Sequence, residues 1–440
     1  MIKKPYILLF LLCCVCNFSF SQSQYFFTKH KKKQVVPFKL ISHLIIFPIE
    51  INGVKLSFIL DSGISKPVLF NLTDKDSLHL GHLDQIYIKG LGEDDAVKAY
   101  RSDHNRFTIK NVENTDQSFY LIQDKSINLS PSIGFPVHGI IGYDIFNDFV
   151  VEINYARRKL ILHNKKTYKK KVCRKCEVLK MPIENKKPYV FAKTKLQNTD
   201  EIDVKLLIDT GSSSALWLFS SENPKISPPK KYFDDYLGKG LSGNIHGKKA
   251  RTKSFSLGKF TLNEPKVAFP DEVSLKHFTD VGDRNGSVGG EILKRFNLIL
   301  NYDSEELIIR KNSLFHNPFY YNMSGLSLEN SGMHYVKEAF STSQANYDNN
   351  KGVRKLVSSG YEFKLYPSIR ISNVRKDSPA DKVGLKKGDV ILSVNGRLAN
   401  HYKLYEMVEL INKEPGQHIK LLVSRDHTNL KFTFKLEKVL

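Results

Sequence analysis

Apolar and polar residues alternate in short runs along most of this chain, and other short runs are wholly apolar; glycine and asparagine bound both kinds. That period-two pattern predicts β-strands, such as Val54 to Leu60, Phe149 to Ile153, Val204 to Ile208 and Ile369 to Val374. Helical spacing is confined to short pieces. Turns are expected at Tyr143 to Asn147 and Glu291 to Phe296, and a longer helix at Tyr402 to Asn412, with Leu404, Met407, Val408 and Ile411 on one face. The one long apolar run, Tyr6 to Cys16, lies near the start and is too short to span a bilayer comfortably.

The pattern repeats. Val54-Lys55-Leu56-Ser57-Phe58-Ile59-Leu60-Asp61-Ser62-Gly63 returns as Val204-Lys205-Leu206-Leu207-Ile208-Asp209-Thr210-Gly211. His138-Gly139-Ile140-Ile141-Gly142 is matched by Asn285-Gly286-Ser287-Val288-Gly289, and Phe149 to Tyr155 by Asn297 to Tyr302. Asp61 precedes Gly139 by 78 residues and Asp209 precedes Gly286 by 77, so the two copies share a spacing as well as motifs. A glycine-bearing hairpin is expected inside each copy, at Gly90-Leu91-Gly92 and Gly240-Leu241-Ser242-Gly243. Each copy reads as a β lobe of about 120 residues, an ordinary domain size. Two homologous lobes imply a pseudo-two-fold axis.

A carboxylate directly after a buried strand, followed by a hydroxyl and a glycine, is weak evidence once, because such tripeptides are common turns. Present in both copies, it points to chemistry. The axis would bring Asp61 and Asp209 face to face, and two adjacent carboxylates share one proton. The ionised partner can take a proton from a water between them, and the protonated partner can donate to a carbonyl oxygen under attack. These residues resemble the aspartic proteases, each lobe being closest in length to a retropepsin-like unit. The resemblance spans roughly residues 36–312. It implies Asp61 and Asp209 as the catalytic pair, with Ser62, Gly63, Thr210 and Gly211 as their supporting loops. It further implies Gly90, Gly92, Gly240 and Gly243 as flap positions. Ile64-Ser65-Lys66 stands where the second copy has Ser212-Ser213-Ser214, and a lysine so close would depress the pair's pKa.

After the lobes a stretch rich in Asn, Ser and Gly is expected to be a linker, residues 313–357. A second kind of pattern follows: Ser378-Pro379-Ala380, then Gly384-Leu385-Lys386-Lys387-Gly388-Asp389, then Asn395-Gly396. At this spacing the segment is similar to bacterial PDZ domains over about residues 358–440. That resemblance implies a groove taking an extended peptide as an added strand beside the helix at Tyr402 to Asn412. It also implies a site for a protein C-terminus at Gly360, Tyr361, Glu362 and Phe363. A module that only packs and binds nothing is the plainer alternative.

Met1 to Ser21 has the three parts of a secretory signal: Lys3 and Lys4, the apolar stretch, and Ser19-Phe20-Ser21 before Gln22. A lipoprotein signal using Cys13, Cys14 or Cys16 is the rival, but bulky residues precede those cysteines. The expected product is exported, to the periplasm, the envelope or the medium, with no membrane span after cleavage. Of the five cysteines, Cys173 and Cys176 remain as Cys-Arg-Lys-Cys, with no second Cys or His pair at zinc-ribbon spacing and no βαβ unit around them for a redox turn. A local disulfide is the plain reading in an oxidising compartment. No cofactor or metal is expected.

The formal charge of +22 invites a polyanion as partner. Its position removes the invitation. Residues 1–40 hold seven positive charges and no negative ones, and residues 157–180 hold eleven positive and one negative. The remainder is nearly neutral for its length, so no basic stripe for nucleic acid is expected. The reading is a mainly β chain: two pseudo-symmetric aspartic-protease lobes, residues 36–165 and 177–312, followed by a small α+β PDZ-like domain. It is expected to be a monomeric aspartic endopeptidase acting on peptide or protein substrates. The alternative is a protease-shaped receptor, catalytically inactive, that works through its PDZ-like domain.

Overall fold

The computed structural model describes residues 24–72, 78–90, 92, 96–124, 127–197, 200–220, 224–240, 242–275, 283–348 and 352–440. The signal-like segment and the acidic Glu93-Asp94-Asp95 lie outside the described residues. The fold is mainly β. In the first lobe, β1 (Lys33–Pro37), β2 (Leu44–Ile51), β3 (Val54–Leu60) and β4 (Val68–Leu69) precede a hairpin of β5 (Leu83–Ile88) and β6 (Val97–Ile109). Then come β7 (Val112–Leu121), helix α1 (Ser130–Ile133), β8 (Gly139–Ile141), helix α2 (Tyr143–Asp148), β9 (Phe149–Asn154) and β10 (Lys159–Asn164). The second lobe follows the same plan. It comprises β11 (Glu177–Lys180), β12 (Lys187–Lys195), β13 (Glu201–Asp209), β14 (Leu216–Leu218), β15 (Tyr232–Gly240) and β16 (Gly243–Arg251). It continues with β17 (Lys266–Pro270), β18 (Gly286–Gly289), helix α3 (Gly290–Leu293), β19 (Phe296–Asn301) and β20 (Glu306–Lys311).

The repeated motifs meet in space. In the first lobe β8 runs parallel to β3, pairing Ile141 with Leu60, and antiparallel to β4. In the second β18 runs parallel to β13, pairing Gly289 with Asp209, and antiparallel to β14. A parallel neighbour needs a long crossover, which is why 78 and 77 residues separate the paired motifs. The lobes are joined by a shared sheet in the order β11-β20-β19-β9-β10-β1. At its centre β9 pairs antiparallel with its own repeat β19, Val151 opposite Leu300 and Ile153 opposite Leu298. The pseudo-two-fold axis passes between these strands. One face of this pair is packed throughout, with Val151, Ile153, Leu298 and Leu300 fully buried in one continuous core that serves both lobes.

Two lysines of the basic segment joining the lobes form ion pairs with the second lobe. Lys170 pairs with Glu306 at 2.8 Å, and Lys165 pairs with Asp303. Cys173 and Cys176 form a disulfide within it.

The expected linker at 313–357 is not one. Phe315 and Phe319 belong to the core of the two lobes, and the fully buried Arg295 donates to the carbonyl oxygens of Phe315 and, more loosely, Leu314. Two long strands follow, β21 (Leu326–Asp348) and β22 (Gly352–Val374), antiparallel along their whole length. Their inner ends enter the sheet of the C-terminal domain, completed by β23 (Val390–Val394), β24 (His418–Arg425) and β25 (Thr428–Lys435). Met323, Leu326 and Leu328 are part of that domain's core, which therefore starts well upstream of residue 358. Asparagine and serine between the apolar positions hid this strand from a composition-based reading. Two helices complete the domain. In α4 (Pro379–Lys382) the Ser378 side chain accepts from Asp381 N–H and Pro379 opens the first turn. In α5 (Leu404–Leu410) Leu404 and Met407 are buried, while Val408, assigned to the same face from spacing, is exposed.

Candidate active site

Both aspartates stand at the ends of buried strands. Asp61 follows β3, where Phe58, Ile59 and Leu60 are buried, and its N–H donates to Ile141 O at 2.9 Å. Asp209 ends β13 after the buried Leu206, Leu207 and Ile208. Each carboxylate is held by the glycine two residues on: Gly63 N–H donates to Asp61 Oδ1 at 2.7 Å, and Gly211 N–H to Asp209 Oδ1 at 3.1 Å.

The hydroxyls between aspartate and glycine tie the lobes together. Ser62 Oγ donates to Ile208 O at 2.5 Å and Thr210 Oγ1 donates to Leu60 O at 2.8 Å. In return Ser62 N–H donates to Thr210 Oγ1 at 3.0 Å, and Thr210 N–H to Ser62 Oγ at 3.1 Å. Both side chains are fully buried. Each hydroxyl thus satisfies two backbone groups of the opposite strand, and the pair fixes Asp61 relative to Asp209.

The glycines are required for close approach. A Cβ on Gly211 would lie 2.2 Å from Asp61 Cγ, inside the opposing carboxyl group. A Cβ on Gly63 would lie 3.1 Å from Asp61 Oδ1 and 3.9 Å from Asp209 Oδ1, so the two carboxylates flank one point. Gly142, of the second motif, passes so near that a Cβ would fall 1.7 Å from Asp61 O. Gly142→Ala is therefore expected to displace the Asp61 turn, and a thermal melt should fall by several degrees, as for a loss of roughly 1–3 kcal/mol from overpacking.

Electrostatics follow from this enclosure. Burial pushes the Asp61 carboxyl up to about 7, helped by Asp209, while Gly63 N–H and Lys187 oppose the rise. Burial also raises Asp209, against the Arg284 guanidinium and the N–H groups of Gly211 and Ser212. The expectation that Lys66 depresses the pair does not hold: Lys66 acts instead on Asp144, which burial raises to about 6. The cations that reach the dyad, Lys187 and Arg284, come from β12 and from the turn before β18. Neither lies near Asp61 or Asp209 in sequence, so no local signal reveals them. The pair as a whole retains one proton well above the usual carboxylate range.

Gly90 and Gly92 lie at the tip of the β5–β6 hairpin, and Gly240 and Gly243 close the β15–β16 hairpin as a register pair. The two tips meet where Gly90 N–H donates to Ser242 Oγ at 3.1 Å, and Gly92 N–H donates to Ser274 O, outside the second hairpin, at 3.4 Å.

The C-terminal positions need correction. Gly360, Tyr361, Glu362 and Phe363 form no loop; they are in the middle of β22, opposite Phe340, Ala339, Glu338 and Lys337. Tyr361 and Phe363 are exposed on one side of this two-stranded arm, as their period-two spacing in sequence would have indicated. The turn that precedes a sheet edge beside α5 is instead Asn322-Met323-Ser324-Gly325, leading into Leu326, with Gly325 at φ 81°. Its donors are already engaged. Met323 N–H donates to Asn412 Oδ1 at 2.8 Å, Gly325 N–H to Asn322 Oδ1 at 2.9 Å, and Leu326 N–H to Ser324 Oγ at 3.2 Å.

Among the described residues no group of three His, Cys, Asp or Glu side chains could hold a metal, and no helix is long and apolar enough to cross a membrane. Comparison with known families gives two matches: residues 47–145 fit the family described as aspartyl protease, and residues 346–436 the one described as PDZ domain. The first match contains Asp61 and most of the first lobe; the second begins within the arm and runs through α5 to β25. The chain joins an aspartyl protease domain to a C-terminal PDZ domain.

Proposed function

We propose that this protein is an aspartic endopeptidase that acts outside the cytoplasm, hydrolysing peptide bonds with water activated between Asp61 and Asp209. The observation that carries the reading is the pair of interlocked Asp-Ser/Thr-Gly turns, one from each lobe, with both carboxylates flanking one point. A dyad holding one proton supplies a base for water and an acid for the scissile carbonyl in the same state. The hairpin tips carrying Gly90 and Gly240 would close over an extended substrate, exclude water and reopen for release. Export is supported by the signal-like Met1 to Ser21 and by the Cys173–Cys176 disulfide.

The test is cleavage of an unstructured protein substrate by the mature chain, with and without a statine-type inhibitor that mimics the hydrated carbonyl. Cleavage blocked by the inhibitor and declining as pH rises through about 7, where Asp61 loses its proton, is the expected result. Inhibitor-insensitive cleavage would overturn the dyad mechanism, and no cleavage at any pH would leave the receptor reading standing.

The same proton sets a stability expectation. An unfolded aspartate titrates near 3.8, and the folded Asp61 near 7, so between those values the folded chain binds more protons. Stability is therefore highest below about pH 4 as far as this group is concerned, and falls as pH rises towards 7. Asp61→Asn should remove that slope, and its melting temperature should exceed wild type at about pH 8 but not at about pH 4. The difference is several kcal/mol at most, since each unit is worth about 1.4 kcal/mol.

A further inference from the structure

An edge strand beside a helix takes a ligand as an added strand, and its preceding turn offers N–H groups to a terminal carboxylate. In this chain that place is the edge of β21 next to α5, and it is not vacant. Helix α1 of the first protease lobe packs against β21. Directly after α1, Gly134 lies against α5 so closely that a Cβ there would fall 2.4 Å from Leu404 Cβ. From the other side Tyr405 of α5 packs into a first-lobe cluster containing Ile133 and Val137. What remains open is a cavity of about 650 Å³ whose lining includes Gly134, Asn330, Pro367, Arg397 and Leu404.

We infer that the groove of the PDZ domain has an internal partner, the α1 segment of the protease itself, and that a free protein C-terminus is not its ligand. Two features carry this. The N–H groups of Met323, Gly325 and Leu326 are spent on Asn412, Asn322 and Ser324, leaving no nest for a carboxylate. The occupant is a helical turn that contains Pro131 and is followed by Pro136, residues that lack the N–H groups an added strand needs, so it plugs the groove and does not extend the sheet. The plug is tied to the active site. Ser130 Oγ accepts from Val137 N–H at 2.9 Å, and Val137 leads into β8, whose Ile141 O receives Asp61 N–H. Release of α1 would therefore loosen the strand on which Asp61 rests.

This inference rests on residues 322–330 and 404–412 being the PDZ groove, and its test does not need catalysis. Amide hydrogen exchange is measured on the full chain without substrate, for wild type and two single variants on opposite sides of the contact, Ile133→Asp and Tyr405→Asp. Each is expected to speed exchange at least ~10-fold across the contact, in residues 326–330 for the first and 129–134 for the second. Exchange in β9 should be unchanged, which shows that the lobes remain folded. Unchanged exchange across the contact in both variants overturns the inference. So does wild-type binding of a hydrophobic-ended peptide that weakens tenfold or more when its terminal carboxylate is amidated. A chain that cleaves nothing yet shows the exchange response would refute the peptidase reading alone.

Discussion

Asp61→Ala and Asp209→Ala should each abolish peptide cleavage, with a loss on the order of 10²–10⁴ or more for removal of one acid–base partner. The two losses should not add in the double variant, because the groups act as one unit sharing one proton. The fold should survive. Each carboxylate is held by backbone N–H groups of its own turn, Gly63 for Asp61 and Gly211 with Ser212 for Asp209, and the ties between lobes run through Ser62 and Thr210. Removing a charge that burial disfavours offsets part of the lost contact. A statine-type inhibitor should lose affinity for both variants together with activity. If either variant still cleaves at more than a tenth of the wild-type rate, the dyad is not the catalyst.

Thr210→Val has the second largest expected effect. Valine keeps the branched shape but deletes a hydroxyl that donates to Leu60 O and accepts from Ser62 N–H. Two buried backbone groups of the first lobe lose their partner, at about 1–3 kcal/mol each. Because those groups flank Asp61, misalignment of the dyad should lower activity as well as stability. Thr210→Ser, which retains the hydroxyl, should recover most of both. Denaturant unfolding of the two variants, read beside their cleavage rates, separates this from mere loss of a methyl group. Equal behaviour of Thr210→Val and Thr210→Ser would mean that the hydroxyl does not hold the lobes.

Much of this was legible in the sequence because it repeats at a fixed interval. The strands before Asp61 and Asp209, the hydrophobic-Gly motifs at Gly142 and Gly289 and the closing strands all fall where the self-comparison puts them. A duplicated motif reports its own tertiary partner, since only a partner at the dyad axis makes sense of two half-sites. What was not legible is whatever depends on contacts between unrelated segments. Lys187 and Arg284 bear on the dyad from strands and turns remote in sequence. Residues 313–357 are expected as linker because Asn, Ser and Gly are frequent there, and so β21 and the start of β22 show no clear apolar alternation. For the same reason the groove's turn was placed at Gly360 to Phe363, when Ser324-Gly325 before Leu326 carries it. No composition or spacing signal announces that α1 and α5 touch.

The shared sheet has one more consequence. Strand β9 belongs to one lobe and β19 to the other, yet they are each other's neighbours, and the first-lobe strand β10 and second-lobe strand β11 lie on opposite flanks of the pair. A cut in residues 167–172, before the disulfide, would sever no pairing within that sheet. The two halves, produced as separate polypeptides, should then find one another by complementation, each supplying an open edge of β9 or β19 that only its counterpart matches in register. Activity recovered from co-expressed halves, and absent from either alone, would mark the chain as a covalent version of a two-fold dimer.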